Sequence, residues 1–363
     1  MMKCHFVYAI PFTERMVGGR IWRKIIGLLI KGGLLKNLLK TRKPSSNEME
    51  RWPARHPATV AKHLYCALEI KMETLLYHIT ERCQINLDSD DVFIGHPYFP
   101  HGGIGVTELT NLAGARPKIF SLIVPLHCDV KATGNHIGKE FLDDIEILLP
   151  KVDIIFAIMG EYWWDKWDSS PYAHWKPKMI RLDMAVDGIV DFPRVKKSFN
   201  KKGRRGFLYI GVNEPRKGTD FLSELMSYFP DCPRGWIGPG KEIPNVTRIS
   251  GDRPLTRDFM SSLAEDYDFF ISPSRVDPNP TTILQSMAWG FPVISTLESG
   301  YYKSTFRKII HLDDMQKSIA ILNELQNADE SELLEMADEA RNVVLKDYNW
   351  EKFTTTVIDE LGV

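Results

Sequence analysis

Cysteine is scarce in this chain. Its 363 residues include five, an odd number at wide spacing, and no two form a Cys-x-x-Cys pair. That excludes a disulfide-stapled scaffold and a thiolate zinc site, and it fits reduced thiols in a cytosolic protein. Long apolar runs are missing too. The longest early ones, Phe6–Phe12 and Ile25–Ile30, fall far short of the ~20 residues that a membrane-spanning helix needs. The first lacks a preceding basic region and a cleavage site, so no signal peptide is expected. Neither sign of charge is in excess. The net charge of −1 at pH 7 removes any global electrostatic case for nucleic acid. With 44% hydrophobic and 26% charged residues, disorder and a collagen-like repeat are excluded as the main state. The length suits two domains, each able to bury a core without staples.

What is present is an alternation. Short apolar, β-branched runs recur at His5–Ile10, Asp91–Ile94, Lys118–Val124 and Val152–Ile158. They recur again at Gly206–Ile210, Arg234–Ile237, Asn245–Ile249, Tyr267–Ile271 and Phe291–Ser295. Amphipathic stretches separate some of them, such as Asp220–Tyr228, and the C-terminal stretch is helical in pattern. Strands apolar throughout and alternating with helices predict α/β architecture, with parallel sheets covered on both faces. A composition break falls at Arg194–Arg205, with seven basic residues and no acid. It reads as a solvated interdomain linker. The expected units are residues 1–195, residues 206–345, and a last helix, 346–363, packing back towards the first unit.

Two segments of the second unit carry chemistry. In the first, a strand ends at Gly211, and a turn holding Arg216, Lys217 and Gly218 opens a helix. Glycine lets backbone approach a ligand, a helix start favours an anion, and the two cations suit a diphosphate. The second runs from a buried strand into Pro273-Ser274, through the polar loop Arg275–Pro280, to a helix beginning at Thr281 and Thr282 and ending at Gly290. The amides and hydroxyls of that first turn point above the sheet, at the strand ends where such sheets bind ligands.

These segments resemble the donor half of GT-B glycosyltransferases, most of all the retaining glycosyltransferase family four. The family's text is a glycine after a strand, a Lys-Gly turn, Pro-Ser, two Glu eight apart, and Ala-Met-Ala-x-Gly-x-Pro-Val. This chain has Gly211, Lys217-Gly218, Pro273-Ser274, Asp277 and Gln285, and Ser286–Val293 in the same order. Lys178–Asp187 and Asp347–Glu351 are similar to the family's domain-closing strand and its final Trp-containing helix. Two departures stand out: Val212 replaces an expected Arg, and Asp277 and Gln285 replace the two Glu. The resemblance implies two Rossmann-like domains with a ligand cleft between them. It implies Lys217 and Asp277 as catalytic residues, and Gly211, Arg216, Gly218, Asn279, Thr281, Thr282 and Gln285 as donor contacts. It adds His127, at a strand end, as a catalytic residue near the donor sugar. Gly18 and Gly19 would form an acceptor or phosphate loop, with His96 at a neighbouring strand end.

The activity so implied is retaining transfer from a UDP- or GDP-linked sugar to a glycan or lipid-linked acceptor, as in polysaccharide biosynthesis. The sugar nucleotide is a co-substrate, and no other cofactor, metal or nucleic acid is expected. The alternative from another class is a catalytically silent protein of the same fold that binds a sugar nucleotide or a protein partner. Val212 and Gln285 motivate it. A nucleotide-sugar epimerase is a third reading. Residues 15–43 carry nine basic residues and no acid, with Trp22 and leucines at near-helical spacing. That pattern suits an anionic membrane surface, or a core helix with solvated bases. A cytoplasmic protein, peripheral on the membrane, is the corresponding location. The aromatic stretch Glu161–Asp168, with Tyr172 and Trp175, is open to sugar stacking or to plain packing. His101-Gly-Gly103 reads as a flexible loop, and Asp88-Ser-Asp90 as a turn rather than a metal motif.

Overall fold

The structure is a computed structural model. It describes residues 2–8, 44–50, 52, 58–78, 85–96, 113–114, 116–129, 137–251, 253–301 and 307–363. Gly18, Gly19, residues 15–43 and the His101–Gly103 loop lie outside the described residues.

The apolar runs form two six-stranded sheets, every strand parallel to its neighbours. The first contains β1 (Lys3–Tyr8), β2 (Glu73–His78), β3 (Val92–Gly95), β4 (Ile119–Pro125), β5 (Ile154–Ile158) and β6 (Met179–Leu182). Their order is β2-β1-β3-β4-β5-β6. The second contains β7 (Phe207–Ile210), β8 (Arg234–Ile237), β9 (Thr247–Ser250), β10 (Phe269–Ser272), β11 (Val293–Ser295) and β12 (Arg307–Ile309). Their order, β9-β8-β7-β10-β11-β12, is that of a doubly wound nucleotide-binding sheet, with its switch point between β7 and β10. All four residues of β7 and of β10 are buried, as expected for central strands covered on both faces.

Nine helices matter to the argument: α1 (Ala58–Lys71), α2 (Ile137–Leu148), α3 (Glu161–Trp167), α4 (Thr219–Ser227), α5 (Arg257–Asp266), α6 (Thr281–Trp289), α7 (Met315–Asn327), α8 (Glu330–Asp347) and α9 (Trp350–Leu361). Local chemistry sets several of their ends. Asp329 and Glu332 form a capping box at α8, Asn349 caps α9 through Lys352 N, and Gly290 closes α6 at φ 86°. The last helix lies against α1, where Trp350 stacks on His63 with centroids 4.4 Å apart and planes 5° from parallel.

The basic stretch 194–205 is not the solvated linker its composition suggests. Lys196 is buried, and its ammonium binds Asp268 Oδ1 at 2.7 Å and the Ala264 carbonyl at 2.8 Å. Asp268 also accepts from Asn200 and from Gly206 N. Arg205 is buried too; its guanidinium donates to Leu325 O, and its backbone exchanges hydrogen bonds with Gln326. A single buried carboxylate converts part of a charge run into a staple, because a buried cation needs a partner. Lys197, Lys201, Lys202 and Arg204 fit the original reading, being exposed.

Candidate active site

The strand ends of the second sheet hold most of the residues expected to bind the donor. β7 is followed by Gly211, whose N–H binds Ile237 O at 2.9 Å and whose carbonyl accepts from Trp236 Nε1 at 2.8 Å. The turn that follows is a short 3-10 helix, Pro215–Lys217, closed by Gly218 at φ 65°. A Cβ on Gly218 would collide with the Pro273 carbonyl, so glycine is needed for conformation and for contact alike. This brings the two loops of the switch point together. Arg275 N and Val276 N both donate to Arg216 O, at 2.9 and 3.1 Å.

That contact places Lys217 beside Asp277. The ammonium is ion-paired with Asp277 Oδ2, and both side chains are largely buried. Arg216 turns instead to Glu214 Oε2, at 2.9 Å, and is partly exposed. Thr281 and Thr282 form the first turn of α6 and are half-buried. The N-cap position is Pro280, which offers no side chain to the first amides. Gln285, on the same helix, is buried one turn further on.

The first domain contributes His127, just beyond β4. Its Nδ1 is buried with no hydrogen-bond partner among the described residues, and its ring lies 5.7 Å from that of Trp163. Burial pushes the imidazole below its ordinary value; the nearby Asp277 and Asp129 carboxylates oppose this, and Arg216 adds to it. His127 is thus within electrostatic reach of Asp277 and Arg216, across the boundary between the sheets. His96, beyond β3, is buried edge-on against Tyr8, at 5.2 Å. Among the described residues, no group of three His, Cys, Asp or Glu could hold a metal ion. Asp88 and Asp90 flank a turn, as expected.

One expected donor contact is engaged elsewhere. Asn279 Oδ1 accepts from Met184 N at 3.1 Å and from Tyr301 Oη at 2.7 Å, and Nδ2 reaches Asp183 Oδ1 at 3.3 Å. The carboxamide ties the second domain to the first. Other fasteners were not anticipated. Gly160 N donates to Pro278 O at 2.7 Å, and Tyr162 N to Gly300 O at 3.0 Å. The amides at the start of α3 thus find their acceptors in the other domain. Trp163 Nε1 donates to Asp277 O at 3.0 Å and Glu298 O at 3.2 Å. The aromatic stretch is core: Trp163, Trp167 and Trp175 are fully buried. The signal for Trp163 was present in the sequence. A buried indole N–H needs an acceptor, and this one lies three residues beyond the glycine that follows a strand end.

No protein-family model matches the chain, and no curated protein matches it. Solved structures do. The chain is similar to WaaG, a glycosyltransferase involved in lipopolysaccharide biosynthesis, at 12% identity and TM-score 0.53, over the whole of both chains. It is similar to an α,α-trehalose-phosphate synthase (UDP-forming) from Burkholderia xenovorans in complex with glucose-6-phosphate, at 9% identity and TM-score 0.60, again over the whole of both chains. It is similar to TarM at 12% identity and TM-score 0.56, over 83% of this chain. The chain spans 58% of TarM's length. At these identities the likeness establishes the fold. It is the GT-B fold, two Rossmann-like α/β domains, which these solved enzymes share.

Proposed function

We propose that the protein is a retaining glycosyltransferase that moves a sugar from a nucleoside-diphosphate sugar to a glycan or lipid-linked acceptor. The observation that carries this reading is the convergence of Lys217 and Asp277 with His127 at the boundary of the two sheets. Lys217, Arg216 and the open first turn of α6 supply positive potential for the departing diphosphate. Asp277 orients the sugar. A neutral His127 offers its unsatisfied Nδ1 to a sugar hydroxyl. The acceptor oxygen bonds to the anomeric carbon on the face from which the phosphate oxygen leaves, and the acceptor's proton passes to that phosphate. No covalent nucleophile is assigned. The description of the Burkholderia protein as UDP-forming supports a uridine or related donor.

Calorimetry with UDP and GDP, followed by a screen for nucleoside diphosphate release from their sugar conjugates, tests this. Binding with release is expected, and release should survive a chelator. Absence of binding by both nucleotides would refute the donor site. The rival, a protein that binds but does not transfer, is favoured by one observation: Lys217 is already neutralised by Asp277. Binding without release from any donor would select it. A lipid-linked acceptor accords with residues 15–43 as a surface anchor. Flotation with anionic but not neutral liposomes is expected, and protein that never floats points to a soluble acceptor.

A further inference from the structure

The main chain of the residue that carries the site's carboxylate is held by the other domain. Asp277 stands in the loop after β10, yet its backbone carbonyl is bound by Trp163, from α3 of the first domain. The same indole N–H also reaches Glu298 O, in the turn after β11, and Asp277 N donates to that same Glu298 carbonyl at 2.9 Å. One donor therefore joins the two loops that follow adjacent strands. The Trp163 ring meanwhile lies beside His127, with Tyr162 packed edge-on at 5.0 Å. Tyr162 reaches the same turn through Glu298 Oε1, at 3.1 Å. Trp163 is fully buried, so its position tolerates little variation.

We infer that Trp163 is a positioning residue: it sets the distance between His127 of the first domain and Asp277 of the second, and so couples domain contact to the assembly of the transfer site. The inference rests on the donor-site reading above. It separates two duties. Nucleotide binding belongs to the Lys217–Gly218 turn and the first turn of α6, whereas the Trp163 indole donates to Asp277 O and Glu298 O. Sugar orientation belongs to the pair that Trp163 spans. Misplacing a reacting group by a fraction of a bond length slows chemistry without abolishing binding. Domain contact made by a hydrogen bond to the main chain of Asp277, rather than to its side chain, leaves the carboxylate free for substrate or for Lys217.

The test replaces the N–H while keeping the shape. Site-specific incorporation of β-(3-benzothienyl)alanine at 163 retains the bicyclic ring and removes the donor; Trp163→Phe is the simpler companion. For both, UDP and GDP affinities are measured by calorimetry, donor hydrolysis by nucleotide release, and the His127 titration by NMR. The groups facing that imidazole are Asp277, Asp129 and Arg216. The expected result is nucleotide affinity within about twofold of the parent, turnover lowered roughly tenfold, as for one lost hydrogen bond, and a shifted His127 midpoint. Unchanged turnover and an unchanged His127 midpoint in the folded benzothienyl variant overturn the inference. Nucleotide affinity falling in step with turnover also overturns it, since that marks a general structural role. A parent that binds neither nucleotide refutes the donor site instead; the His127 midpoint then still decides whether Trp163 positions the pair.

Discussion

Lys217 and Asp277 illustrate how one pair of residues can serve two states. The ammonium of Lys217 is ion-paired with the Asp277 carboxylate. On the proposed reading, an arriving diphosphate competes with Asp277 for the ammonium, and the freed carboxylate turns to the sugar. Lys217→Ala should weaken UDP or GDP binding by about 1.5–3 kcal/mol, the worth of a charge-assisted hydrogen bond. Asp277→Asn should do the opposite for the bare nucleotide, tightening it, while donor hydrolysis falls. Calorimetry of both variants checks the pair. An Asp277→Asn variant that binds the nucleotide no better than the parent would show that Asp277 does not compete for the ammonium.

The clearest pH-sensitive element contact is the one between α1 and α9. His63 stacks on Trp350, and burial carries its pKa from 6.5 down to about 4, with Lys62 adding to the shift and Asp187 opposing it. The folded state therefore resists protonation that the unfolded chain accepts. Stability from this contact is complete above about pH 6.5 and is lost as the pH falls towards 4. The ring is partly exposed, so solvent screening leaves roughly 1–2 kcal/mol of this. His63→Phe keeps the stack and removes the titration. Denaturant unfolding between pH 7 and pH 4 should show the parent losing more stability than the variant by about that amount. Parallel pH profiles would show that the stack carries no such dependence.

Across the whole molecule, the two sheets meet backbone to backbone. A Cβ on Gly160 would strike the Gly300 carbonyl across the boundary, and within the second domain one on Gly300 would strike the Pro278 carbonyl. Side chains cannot yield there, because the obstacle is main chain. Gly160→Ala should therefore push the domains apart at this contact. The expected signature is a larger radius of gyration in solution scattering, an unchanged far-ultraviolet spectrum, and slower donor hydrolysis. Nucleotide affinity should stay near the parent's, since Lys217 and Gly218 lie wholly in the second domain. An unchanged radius together with an unchanged rate would show that the contact is dispensable.

Local pattern determined a large share of this protein. Apolar runs became parallel strands within a residue or two of their expected limits, because a strand buried on both faces must be apolar throughout. Gly211, Gly218 and the Pro273–Thr282 segment were legible because turns and helix starts depend on a few adjacent residues. Partnership was not legible. Lys217 lies 60 positions from Asp277, and Trp163 lies 114 positions from the carbonyl it binds. The Asn279 oxygen takes its partners, Met184 and Tyr301, from 95 and 22 positions away. Lys196 looked solvated until Asp268 was folded against it. A residue's type states what it can bond, but only the packed chain decides which partner arrives, since a buried polar group must take the one the tertiary contacts supply.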